Sequence, residues 1–232
     1  MISGASTPTS NRLQGQSIQQ QVDRATDELL DSFPDPEQLS TDERRGIIAR
    51  YTAVLEGNFI YWMTATYLSV GSEEARSKIL DNLREEVRDC HPGMMRRFAM
   101  AAHAAPTDLD ALDIYRDLTS VRLFLGRLSA VPNVLTMAFF EGFIQKFMPY
   151  LAELAAGRGS VEREYTDVHG VCDVTHTEEL FRALAAEMAL NSPEPAADLF
   201  EGIHLLSALI RTIVHGAEAR TDRGVYTRLV AS

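Results

Sequence analysis

Residues 165–188 read YTDVHGVCDVTHTEELFRALAAEM. The stretch lacks the alternation of a strand and carries its apolar residues at helical spacing. It is read as the core of a helix spanning about 160–190, with a kink expected near Gly170. His169, Asp173 and His176 stand four and three residues apart. Each residue of a helix advances about 100° around the axis, so all three side chains share one narrow stripe. Two imidazoles and a carboxylate converging from one helix form a donor set that suits non-haem iron.

The rest of the chain repeats the helical pattern. Helices are expected over about 18–32, 40–69, 73–89, 93–104, 108–128, 133–156 and 196–218. Ser40 through Glu43 forms a capping-box pattern, and Pro92, Pro106, Pro132 and the Asn191–Pro195 run mark breaks. Pro149 is expected to kink its helix. Strand and hairpin signals are missing. The expected fold is all-α, one domain of seven or eight helices over residues 20–222. The polar start, MISGASTPTSNRLQGQSIQ, predicts a disordered lead-in over residues 1–19.

Composition narrows the function. Apolar residues make up 45 % of the 232 positions, enough for a sizeable core, and the net charge is −11. That balance argues against a nucleic-acid partner and against docking on an anionic membrane. Two widely spaced cysteines, Cys90 and Cys172, build no disulfide framework, so a reducing cytoplasm is the expected compartment. No apolar run reaches the roughly 18 residues of a membrane span, and the start lacks signal-peptide architecture.

One stripe cannot fill two coordination spheres, so other inward acids matter. Glu141 has Val134, Met137, Ala138, Ile144 and Met148 as helical neighbours, an apolar face where a lone carboxylate is costly without a cation. Glu56 shares a face with Phe59, Ile60 and Met63. A core hydrogen bond to Tyr or Arg is an equal reading there. Glu86 precedes His91, which sits where Pro92 breaks a helix; Glu85 competes with Glu86. Together these residues offer a mixed nitrogen and oxygen set from four helices. Such a set suits two iron or manganese ions better than zinc.

These blocks, in this order, resemble the haem-oxygenase-like di-iron oxidases and oxygenases over about residues 42–216. The resemblance rests on N82-L-R-E-E86 with His91-Pro92, on Glu141 midway along its helix, and on H169-x3-D173-x2-H176. It implies a seven-helix bundle around two irons that activates O2. By resemblance Glu86, His91, Glu141, His169, Asp173 and His176 are the metal ligands. Glu56 matches an extra carboxylate of N-oxygenating members. The Gly common after the Glu pair is missing here. The implied chemistry is N-oxygenation or C–H oxidation of a small amino acid or amine in specialised metabolism. Desaturation, cyclisation and C–C cleavage are the alternatives. An external electron donor and a homodimer are implied as well. Arg211, on an otherwise apolar helix, is a candidate clamp for a substrate carboxylate or the partner of a structural acid. The same fold also occurs in metal-free thiaminase-like hydrolases with a Cys nucleophile, which makes Cys172 the residue to watch.

Overall fold

Capping side chains mark where several of the helices begin. Ser17 and Ser40 each close a reciprocal capping box, with Gln20 and Glu43, and Thr107 does so with Asp110. Each satisfies backbone N–H groups that a helix start leaves without partners. The computed structural model describes residues 17–190 and 198–216. It runs α1 (Ile18–Leu30), a 3-10 turn (Pro36–Gln38), α2 (Thr41–Ser69), α3 (Glu73–Arg88), α4 (His91–Ala101), α5 (Asp108–Leu125), α6 (Ala130–Ala156), α7 (Glu164–Leu190) and α8 (Glu201–His215). No strand occurs among the described residues. The chain start through residue 16, the stop at 191–195 and the tail from 217 lie outside them. Residues 18 and 19, expected within the lead-in, already belong to α1.

The core forms around α6. From Val134 to Met148 it buries nearly every side chain, including Phe139, Phe140, Phe143 and Phe147. Removing water from one such ring stabilises by about 1.5–3 kcal/mol. α7 lies along α6 as its principal neighbour, and α2, α8 and α1 also contact it. Gly202 lets α8 cross close: a Cβ there would stand 2.0 Å from the Thr136 hydroxyl and 2.5 Å from the Phe124 ring.

Two expectations about the backbone change. α6 runs helically through Pro149 and α7 through Gly170. The interruption falls in α2, where Glu56 (ψ 90°) and Gly57 (φ 89°) leave helical geometry. A positive φ is adopted by Gly without the Cβ clash other residues meet. Tyr61 and Tyr115 are exposed, whereas Trp62 is buried.

α3 and α7 run side by side, tied by polar contacts at three levels. The fully buried Glu187 carboxylate accepts the backbone N–H groups of Gly71 and Ser72 at 2.9–3.1 Å. Lys78 donates to Glu179 at 2.7 Å. Glu85 meets His176 at 3.0 Å.

Candidate metal centre

The helix break that frees His91 is visible in the backbone. Cys90 adopts a left-handed conformation (φ 56°, ψ 44°) between α3 and α4, and the His91 ring turns into the bundle. There its Nδ1 lies 2.6 Å from Glu86 Oε1, and its ring stands edge-on to His169 with centroids 4.5 Å apart. Donor atoms of Glu86, His91 and His169 all fall within 4.8 Å of one another. A second group within the same span comprises Cys172, Asp173 and His176. Glu141 relates the two. It borders the cavity that Glu86, His91 and His169 line, and its Oε1 is 3.8 Å from His176 Nδ1.

All six residues expected to bind metal through the core blocks are therefore brought together and buried. Glu86 points inward and Glu85 faces the groove between α3 and α7. Two further candidates land elsewhere. Glu56, at the α2 kink, forms an ion pair with Arg96 of α4 and stays outside both donor groups. Arg211 is exposed on α8, so the structure does not bring it to the cluster as a clamp. Lys146 reaches Asp27 on the surface.

The three histidines are held differently: His91 Nδ1 meets Glu86, His169 Nδ1 meets a backbone carbonyl, and His176 Nε2 meets Glu85. His169 Nδ1 donates to the Tyr165 carbonyl at 2.8 Å, which leaves Nε2 free as a donor atom for metal. Burial and the neighbouring His91 pull its pKa down to about 4, keeping the ring neutral as a ligand must be. Burial pushes the Glu86 carboxyl up, although His91 partly offsets it. Burial opposes charging His91, but the bond to Glu86 outweighs this and raises it. Burial and the Glu141 charge push Asp173 up. Burial also opposes a charged His176, but the nearby Asp173 and Glu141 carboxylates, 3.6 and 3.8 Å from its Nδ1, outweigh this and raise its pKa while no cation is bound.

The polar accounting supports a cation. Asp173 is 1 % exposed, and its Oδ2 and His176 Nδ1 find no hydrogen-bond partner. Buried polar atoms are rarely left unpaired. Both belong to the same donor group, and a metal ion would satisfy both. The set of imidazoles and carboxylates fits iron.

Two further residues, neither expected to bind metal, support the cluster. Asn82 Nδ2 donates to Glu141 Oε1 at 2.7 Å and fixes that carboxylate. Tyr165 packs on His169, with ring centroids 4.2 Å apart, and its hydroxyl meets Tyr51 at 3.0 Å.

A narrow cavity of about 20 Å³ adjoins the first donor group. Leu55, Phe59, Ile60, Met95 and Ile144 give it apolar walls. A family model described as an iron-containing redox enzyme matches residues 48–211, from α2 to α8. No curated protein and no solved structure matches the chain.

Proposed function

The chain belongs to the haem-oxygenase-like family of iron-containing redox enzymes, and from that premise we propose that it is a non-haem di-iron oxidase or oxygenase. Its proposed substrate is a small amino acid or amine, and its co-substrate is O2. The observation that carries the reading is the doubled donor set: Glu86, His91 and His169 on one side, Asp173 and His176 on the other, with Glu141 between. Bound iron supplies the electrons that reduce O2.

The chain's own residues do the rest. His169 stays neutral, and the Tyr165 carbonyl fixes its ring. Asn82 holds Glu141 in place. The apolar walls leave the first donor group room for little more than one water. Glu56 pairs with Arg96 beyond the cluster, which takes away the feature that favoured N-oxygenation. Arg211, exposed on α8, likewise takes away the feature that favoured C–H chemistry, so the proposal keeps N-oxygenation and C–H oxidation together, with desaturation, cyclisation or C–C cleavage as the alternatives. An external electron donor, a homodimeric state and a role in specialised metabolism complete the proposal. Among the described residues no helix is long and apolar enough to cross a membrane.

The hydrolase reading is less well supported. Burial and the Asp173 charge push the Cys172 thiol far up, and its S–H donates to Asp173 at 3.2 Å. A nucleophilic cysteine needs the opposite environment.

The test is anaerobic loading with Fe(II), iron quantitation, then exposure to O2 with a panel of aliphatic amino acids and amines. Two irons per chain, an O2-dependent absorbance change and an oxidised product by mass spectrometry are expected. A protein that retains no iron, or whose loaded form is inert to O2, refutes the proposal.

A further inference from the structure

Glu85 and Glu86 are adjacent, yet the roughly 100° step of the helix sends them to different places. Glu86 enters the donor cluster. Glu85, with 44 % of its side chain exposed, lies in a groove of about 610 Å³ between α3 and α7. From there its Oε2 reaches His176 Nε2 at 3.0 Å. The other nitrogen of the same ring points the opposite way. Nδ1 is buried without a hydrogen-bond partner, 3.6 Å from Asp173 Oδ1 and 3.8 Å from Glu141 Oε1.

A neutral imidazole carries its hydrogen on one nitrogen and a lone pair on the other. A carboxylate can only accept, so when the ring becomes neutral, as a metal ligand must be, Glu85 selects the form with hydrogen on Nε2. The lone pair then lies on Nδ1, facing the acids. A carboxylate behind a metal-binding histidine orients the ring in this manner and strengthens it as a donor.

We propose that Glu85 is a positioning residue: it acts through His176 to present Nδ1 to a metal ion shared with Asp173 and Glu141. The inference rests on the reading of this cluster as an iron site. It adds a residue from outside the cluster and makes the two donor groups unequal. Only the group containing His176 depends on the groove; His169 takes its orientation from a backbone carbonyl.

Mn(II) titration followed by electron paramagnetic resonance reads free against bound ion for each site. The wild type is expected to bind two ions. Glu85→Ala should weaken one of them about 10–100-fold and leave the other unchanged. Glu85→Gln keeps an oxygen that accepts from Nε2, so it should lose less. In Zn(II)-loaded protein labelled with 15N-histidine, a protected Nε2–H resonance of His176 is expected in the wild type and in Glu85→Gln. It should be lost in Glu85→Ala. A purely surface role for Glu85 would move neither readout. If the wild type binds two ions and Glu85→Ala weakens neither, or weakens both equally, this inference falls alone. If the wild type binds one ion that His176→Ala does not affect, it falls too. If the wild type binds none, the iron-site reading falls with it.

Discussion

Asp173→Asn is expected to make the metal-free protein more stable while removing much of what metal adds. In the wild type the side chain is 1 % exposed, lacks a partner at Oδ2, and feels the Glu141 charge. Without a cation it either ionises beside another acid or keeps a proton that the unfolded chain would release. Both cost stability. A neutral residue of the same shape removes that cost, which is about 1.4 kcal/mol for each pKa unit by which the carboxyl is raised. His176 keeps Glu141 and Glu85 as partners. Taking about 2 kcal/mol, and about 2–4 °C per kcal/mol for a chain of this size, the metal-free midpoint rises by about 4–8 °C. The sign with pH follows from the raised carboxyl. Its cost is absent below the ordinary value of about 4 and grows as pH rises toward the raised value. The gap between variant and wild type should therefore widen from acid to neutral pH. Metal reverses the order. Mn(II) at about 100 times its Kd adds about 2.7 kcal/mol to the wild type, or about 5–11 °C, and much less to the variant. Differential scanning fluorimetry at several pH values, with and without Mn(II), measures all of this. A variant whose metal-free midpoint falls, and which keeps the full gain from Mn(II), would sink the reasoning.

Three further outcomes are expected. Glu187→Ala removes the charged acceptor of the Gly71 and Ser72 N–H groups and should cost about 3 kcal/mol in urea denaturation. A loss under about 1 kcal/mol would show that water replaces it freely. Asp110→Asn weakens the Thr107 capping box and the Arg45 pair, costing about 1 kcal/mol at neutral pH. Burial raises the Asp110 pKa, but Arg45 and Thr107 outweigh it and the net value is lowered. This stabilisation is thus present above the ordinary carboxylate value and lost as pH falls through the lowered one, so the two proteins should converge in acid unfolding. With Cys90 replaced by Ser, Cys172 should react with iodoacetamide at pH 7 far more slowly than free cysteine, because its thiol stays protonated. Rapid labelling would revive the nucleophile reading.

Much of this architecture was legible because its causes are local. The Ser40 and Thr107 caps, the break before His91 and the stripe of His169, Asp173 and His176 depend on residues within a turn or two. Glu141 was legible from its apolar neighbours. Glu56 was misplaced because helical spacing assumes an unbroken helix, and Gly57 breaks α2 at that point. Arg211 carried a readable warning. His204, Arg211 and His215 stand seven and four residues apart, which is a single polar stripe, and all three are exposed. Glu187, Asn82 and Glu85 have partners 116, 59 and 91 residues away. No spacing rule reaches across such distances.

The polar ties between α3 and α7 constrain chain length as well as position. They join residue 71 to 187, 78 to 179 and 85 to 176. One residue inserted between Lys78 and Glu85 would turn everything after it by about 100°, swinging Glu86 out of the cluster and parting Glu85 from His176. A deletion would do the same in the opposite sense. The stretch from 71 to 91 is therefore intolerant of length change whatever residues it carries. The 157–163 connection between α6 and α7 supplies no donor to the cluster and can absorb added residues. Where homologues of this chain differ in length, the difference should fall in such connections and spare α3.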